Sequence, residues 1–296
     1  MKQRISALLF VALFLTLASC FAVCAQNPEA KPYTVKFKGE QREFYLFVPD
    51  AVKRGETCPL IVCLHGYGGK AKGYRPEMAQ AALENGYAIC YPQGLKAPKG
   101  KTGWMVGYPK QEGMKDNDVD FIVYLAKYLP KQFGLDKDNV FMTGMSNGGE
   151  MCYIMALSHP RTFNAIASVA GLQMGWTIDG IKPRGTVPFF EIHGTGDKTS
   201  RWEGDPDNQY GWGAYLPVPA AVSNIVAMNK CRLYSVEQLP KLSEESNDVI
   251  LHRYTRGDNG SEVLLYQVNG GTHSWALTDV DTCGEIIKFF ESHRKR

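Results

Sequence analysis

The chain has 296 residues, 44% hydrophobic and 21% charged, an ordinary globular balance that argues against a low-complexity or repeat architecture. The length admits one large α/β domain or two small ones. The formal net charge is +3, and two of those charges sit on Lys2 and Arg4; without that segment the chain carries a single excess charge, too weak a field to suggest nucleic acid or an anionic membrane as partner.

Met1–Arg4 is a basic start, and residues 5–18 form an apolar run too short to span a bilayer comfortably. Val23-Cys24-Ala25 offers small residues to a signal peptidase, with cleavage before Gln26. Leu17-Ala18-Ser19-Cys20 resembles a bacterial lipobox, which would instead make Cys20 a lipid anchor. Both readings place the protein outside the cytoplasm, either periplasmic or secreted, or held at the outer surface as a lipoprotein. The expected organisation is a signal peptide over 1–25 and one domain over 26–296, with no transmembrane span after the signal is removed.

Residues 33–37 and 43–48 read as strands around a Gly-Glu turn, antiparallel at a sheet edge. Residues 59–64 are continuously apolar, as expected of a strand buried on both faces. A helix over 78–85 ends at Gly86, residues 87–91 form the next strand, and 92–113 is a loop rich in Gly, Pro and Lys. Apolar residues at helical spacing cover 118–133, followed by a short strand at 140–143 and a helix from about 150 to 158. Buried strands follow at 165–170 and 187–192, then a helix at 219–229, strands at 249–254 and 263–268, and an amphipathic helix over 282–293. Strands alternating with helices through short connections give an α/β class with a mostly parallel central sheet. Cys63 and Cys90 fall in apolar strands and read as core. Cys58, Cys231 and Cys283 could pair, with a connectivity that spacing does not fix. No Cys or His spacing suggests a metal site, and no cofactor is implied.

Gly144-Met145-Ser146-Asn147-Gly148 fits G-x-S-x-G and lies between an apolar strand and a helix. A sharp strand-to-helix turn projects such a serine, and the flanking glycines let the chain pass. Serine needs a base, and the base needs an orienting acid, in the chain order Ser, acid, His. His252 lies in a strand and His293 in a terminal tail expected to be solvated. His273 follows a strand end in Gly270-Gly271-Thr272-His273, where open α/β sheets place catalytic groups. Asp197 emerges from the end of the 187–192 strand in His193-Gly194-Thr195-Gly196-Asp197, ahead of Asp205 and Asp207 as the acid. The backbone N–H groups of Asn147 and Tyr67 are the expected oxyanion donors, with His65 as a structural residue of the same loop.

Leu64-His65-Gly66-Tyr67-Gly68-Gly69, Tyr91-Pro92-Gln93-Gly94, Thr143–Gly149, His193–Asp197 and Gly270-Gly271-Thr272-His273-Ser274-Trp275 together resemble the ordered motifs of carbohydrate esterase family 1, the feruloyl esterase and polyhydroxybutyrate depolymerase group. The resemblance covers about residues 33–293. It implies an α/β-hydrolase fold with helices on both faces of the sheet, a Ser146-Asp197-His273 triad, and esterase activity on acyl groups of plant xylan such as ferulate or acetate. Members of the group often carry a cysteine in the turn that here reads Thr255-Arg256-Gly257-Asp258, so a disulfide to Cys231 is not expected. The loops at 95–113 and 198–218 should shape the pocket. Trp202 and Trp212 either wall an acyl or sugar pocket or cover the core beneath their loop, and Trp275 beside His273 is a further candidate for the acyl site. The expected function is therefore an exported feruloyl esterase acting on acylated polysaccharide. Acetylxylan esterase and polyhydroxyalkanoate depolymerase are the alternatives within the class, and a non-catalytic polysaccharide-binding relative is the alternative outside it. A peptidase on the same triad ranks below these.

Overall fold

The structure is a computed structural model that describes residues 32–53 and 55–296; the signal and lipobox segments lie outside the described residues. Pro32–Arg296 form one compact unit. Its elements are β1 (Tyr33–Phe37), β2 (Glu40–Phe47), α1 (Asp50–Lys53), β3 (Leu60–Leu64), α2 (Pro76–Glu84), β4 (Ala88–Pro92), β5 (Leu95–Lys96), β6 (Thr102–Gly103), α3 (Asp118–Phe133), β7 (Val140–Met145), α4 (Asn147–Ser158), β8 (Ile166–Val169), α5 (Thr177–Gly180), β9 (Phe189–Gly194), α6 (Val218–Asn229), β10 (Leu233–Gln238), β11 (Val249–Thr255), β12 (Val263–Val268) and α7 (Thr282–Ser292).

Ten strands make one sheet among the described residues, in the order β1-β2-β4-β3-β7-β8-β9-β12-β11-β10. The six central strands, β4 through β12, run parallel. Antiparallel pairs close both edges. Parallel pairing follows from the run-on apolar strands: β3 and β4 are buried at every position, so both sheet faces need cover. Alternate side chains supply it. Leu60, Val62 and Leu64 pack into a core with α3, α4 and α6. Ile61 and Cys63 point the other way, into a core with α2 and α7. Helices therefore cover both faces, and this is the α/β-hydrolase fold.

The elements match the sequence expectations closely, and the differences include the short helices α1 and α5, which were not expected. The loop after β4 contains the β5–β6 hairpin. Helix α4 begins at Asn147, immediately after Ser146, rather than near residue 150. Strand β10 was not anticipated: all six of its residues are exposed, so burial imposes no alternating pattern on it. All six cysteines among the described residues are unpaired, and five are buried.

Candidate active site

Strands β7, β9 and β12 are parallel and end at the same edge of the sheet. Each delivers one candidate residue there: Ser146 directly after β7, Asp197 after β9 and His273 after β12. The shared strand direction is thus what gathers residues spread over more than a hundred positions of sequence.

Ser146 has φ 55° and ψ −123°, a conformation an L-residue adopts only under constraint. The flanking glycines make the turn possible. A Cβ at Gly144 would lie 2.7 Å from the Gly148 backbone, and one at Gly148 would lie 2.5 Å from Leu64 O. Ser146 is half-buried at the N-terminus of α4, where first-turn N–H groups, Asn147 among them, lack intrahelical partners.

The acid and base loops are locked together. His273 Nδ1 lies 2.7 Å from Asp197 Oδ2. The other carboxylate oxygen accepts from Thr199 N at 2.7 Å and Ser200 N at 2.8 Å, which leaves Oδ2 aimed at the imidazole. Gly196 N donates to Gly271 O at 2.9 Å, Thr195 N to Val268 O at 2.9 Å, and Gly270 N to Thr195 Oγ1 at 2.8 Å. Backbone contact this close explains the glycine pattern of both motifs: a Cβ on Gly194 would fall 2.2 Å from Gly271 O. Asp197 is 4% exposed, so its charge is screened little by water and acts on His273. No hydrogen bond joins Ser146 to His273 among the described residues, a contact that in many hydrolases tightens only when substrate arrives.

The loop after β3 reaches the nucleophile. A Cβ at Gly66 would lie 3.3 Å from Ser146 Cβ, which places the residue before Tyr67 beside the nucleophile. Gly68 N donates to Thr102 O at 2.7 Å, and Thr102 Oγ1 to Gly69 O at 2.7 Å. His65 plays the structural part expected of it: Nδ1 donates to Gly66 O at 2.8 Å while Nε2 accepts from Gly94 N at 3.0 Å. Its burial depresses its pKa, keeping the ring neutral as those contacts require.

Asn147 does more than supply an N–H. Its Oδ1 accepts from Trp104 N at 2.6 Å and its Nδ2 donates to Trp104 O at 3.0 Å, a clamp that ties the elbow to the loop after β6. Trp104 in turn donates from Nε1 to His65 O at 2.9 Å, joining the two segments expected to supply the oxyanion donors. Asp118 holds the same loop through Met105 N at 2.8 Å and pairs with the buried Arg42 at 2.8 Å. Below Asn147, Tyr108 OH donates to Glu150. Burial, opposed by hydrogen bonds from Tyr108 and Asn147, leaves the Glu150 carboxyl pushed up to about 8.

The three tryptophans proposed for substrate contact fall in different surroundings. Trp212 is half-buried against Tyr67 (5.8 Å between ring centroids) and Tyr108 (5.1 Å), with Lys110 Nζ 3.9 Å from its ring centroid, so it borders the oxyanion loop. Trp202 is half-buried and packs on His193 at 6.1 Å, behind the acid loop. Trp275 is 2% exposed and lies in the core against Tyr74 and Arg75, rather than on an open wall beside His273. Asp205 serves its own loop, accepting from Gln209 N at 2.8 Å and Tyr210 N at 2.9 Å. His252 has the structural role that its strand position implies, between Tyr234 and Gln267. His293 departs from the expected solvated tail: its Nε2 lies 3.2 Å from Glu262 and its ring packs on Phe289. Sequence reasoning missed the Glu191–His193 pair, joined at 2.9 Å and fully buried. Its signal was two polar residues at i and i+2 in an otherwise apolar strand.

Residues 43–184 match the family described as esterase PHB depolymerase. The Nocardia uniformis subsp. tsuyamanensis protein named esterase NocK is 27% identical over 252 residues, 80% of this chain and 71% of that one. An Aspergillus clavatus protein named feruloyl esterase C is 28% identical over 178 residues; the alignment covers 59% of this chain and 60% of the relative. The solved acetyl xylan esterase from Aspergillus awamori superposes with a TM-score of 0.56 at 16% identity, covering 88% of this chain and 99% of that one, which supports the shared fold. The chain is therefore an esterase of the α/β-hydrolase fold that is similar, over residues 43–184, to the esterase PHB depolymerase family.

Proposed function

We propose that the protein is an exported serine carboxylic ester hydrolase that removes feruloyl groups from acylated plant polysaccharide. The observation that carries the catalytic part is the Asp197–His273 couple at 2.7 Å, set on the same sheet edge as the strained Ser146 elbow. Ser146 Oγ attacks the ester carbonyl as His273 Nε2 takes its proton. Asp197 holds the Nδ1–H tautomer and stabilises the imidazolium. The N–H groups of Asn147 and Tyr67 receive the oxyanion. As the C–O bond breaks, His273 gives that proton to the departing sugar oxygen, which leaves as an alcohol, and water, activated by the same histidine, releases the acid.

The substrate assignment rests on the half-buried rings of Tyr67 and Trp212 beside the oxyanion loop, backed by the buried Tyr108, a border that suits a planar phenolic acyl group. The relative named as a feruloyl esterase agrees with it. The test compares wild-type and Ser146→Ala protein on feruloylated arabinoxylan, acetylated xylan and polyhydroxybutyrate. Feruloyl release by wild type, reduced at least about 10³-fold in the variant, supports the reading. A clear preference for acetyl or hydroxyalkanoate ester would replace the acyl assignment, and a fully active variant would overturn the mechanism. Mass analysis of the exported chain tests its processing: a start at Gln26 means signal cleavage, and a lipid on Cys20 means a surface lipoprotein. A chain retaining Met1 inside the cell would contradict export.

A further inference from the structure

We propose that Glu191 and His193 form a buried imidazolium–carboxylate couple that positions the triad acid, resting on the reading of Asp197 as that acid. Both side chains are fully buried at the end of β9. His193 Nε2 lies 2.7 Å from Ser200 O, and a carbonyl oxygen only accepts, so Nε2 carries a proton. His193 Nδ1 lies 2.9 Å from Glu191 Oε1, a contact that needs one further proton between the two atoms. Contacts to the charged forms offset a burial that pushes the Glu191 carboxyl up and leaves its Oε2 without a hydrogen-bond partner. Gly171 N donates to Glu191 Oε1 at 3.2 Å, which favours the carboxylate. Ser200 O and the Asp197 carboxylate, 3.7 Å from Nε2, favour the imidazolium.

The oxygen that Nε2 approaches is Asp197 Oδ2, the one that receives His273 Nδ1. His193 also fixes Asp197 through the backbone: it anchors Ser200 O, and Ser200 N donates to Asp197 Oδ1 at 2.8 Å. The other groups facing the pair are Glu150, Cys152 and Tyr153 from α4, and Ser168 from β8. Burial works against a charge on His193, but its hydrogen bond to Glu191 and the carboxylate charge overcome that and raise its pKa. A polar pair is costly to keep at the centre of a parallel sheet, where Glu191 sits between Ser168 and Leu265. The couple therefore makes sense as a device acting on Asp197 and, through it, on His273.

Glu191→Gln is the discriminating variant. The amide nitrogen can donate to Nδ1 and leave Nε2–H on Ser200 O, so the histidine stays held at the cost of the Gly171 N contact, while the positive charge beside Asp197 is lost. That loss exposes His273 to the full Asp197 charge, and the acid limb of kcat/KM should move up by about half to one pH unit, whereas a purely structural role would leave the limb in place. A second measurement uses 15N-histidine spectra of the folded wild-type protein from about pH 6 to about pH 9. Both ring nitrogens of His193 should stay protonated across that range. An unmoved acid limb in folded Glu191→Gln protein, or a neutral His193 in the wild type, overturns the proposal; if the variant does not fold, the spectra decide. Failure of a fluorophosphonate to label Ser146 in the wild type would instead overturn the triad reading on which the couple depends.

Discussion

Gly194→Ala tests whether the acid and base loops are held in register by backbone contact. The added Cβ would sit 2.2 Å from Gly271 O and 2.3 Å from its carbonyl carbon. A carbon–oxygen contact settles at about 3.3 Å or more, so the two loops must part by about 1 Å. The contact is between two backbones, and no flexible side chain can yield. The Asp197–His273 bond, at 2.7 Å, spans that same seam, with Gly196 N to Gly271 O beside it. A 1 Å displacement at a catalytic group costs about 10²-fold in rate, and overpacking costs about 1–3 kcal/mol of stability. The assay is kcat/KM on a p-nitrophenyl ester together with a urea midpoint. Gly39→Ala is the control: that glycine, in the β1–β2 turn, has φ 84° and open space around its Cβ position, so alanine should cost about 1 kcal/mol of backbone strain and no activity. If Gly194→Ala kept kcat/KM within threefold of wild type, the seam would not be what aligns the triad.

Three further substitutions probe the surroundings. Asp118→Ala strands the Arg42 guanidinium, whose side chain is fully buried, and should lower stability by about 3–5 kcal/mol in urea; a loss below about 1 kcal/mol would mean that water reaches the pair. Asn147→Ala keeps the oxyanion N–H but leaves Trp104 N–H and C=O without their clamp, so kcat should fall about 10-fold or more while the protein loses about 2–4 kcal/mol, and unchanged kcat would separate the clamp from catalysis. Glu150 carries a folded-state pKa of about 8 against a usual carboxyl value near 4.5. The unfolded chain therefore binds fewer protons between those values, and the stabilising effect of the protonated form, complete below about pH 4.5, is lost as pH rises towards 8. Glu150→Gln should flatten that part of the stability–pH curve, raising stability at pH 8.5 relative to wild type by up to about 4 kcal/mol; parallel curves for the two proteins would contradict it.

Much of the site could be read from the chain because glycine records close approach. Gly144 and Gly148 mark the elbow, and Gly194 and Gly196 mark the seam, each where a Cβ would strike backbone, while a Cβ on Gly271 would meet the Val268 side chain. Uninterrupted apolar runs announced the parallel strands for the same reason: both faces are covered. What stayed hidden depends on partners distant in sequence. Trp275 beside His273 looked like a pocket wall, yet its side chain turns into the α2–α7 core. Arg42 and Asp118 gave no sign of each other across 76 positions, and His293 gave none of Glu262. Strand β10 carries no periodicity because it is exposed at the sheet edge. Glu191 and His193 were visible as polar interruptions of a buried strand, but their bearing on Asp197 appears only once Ser200 folds back over the ring.

The most direct test of the central claim is covalent capture. The native protein is treated with a fluorophosphonate, digested and analysed by mass, alongside His273→Ala and Asp197→Asn variants. A single adduct on Ser146 in the wild type, forming at least about 10²-fold more slowly in both variants, is the predicted result. An adduct on another residue, or equal labelling of Ser146 in all three folded proteins, would contradict a nucleophile activated by His273 and Asp197.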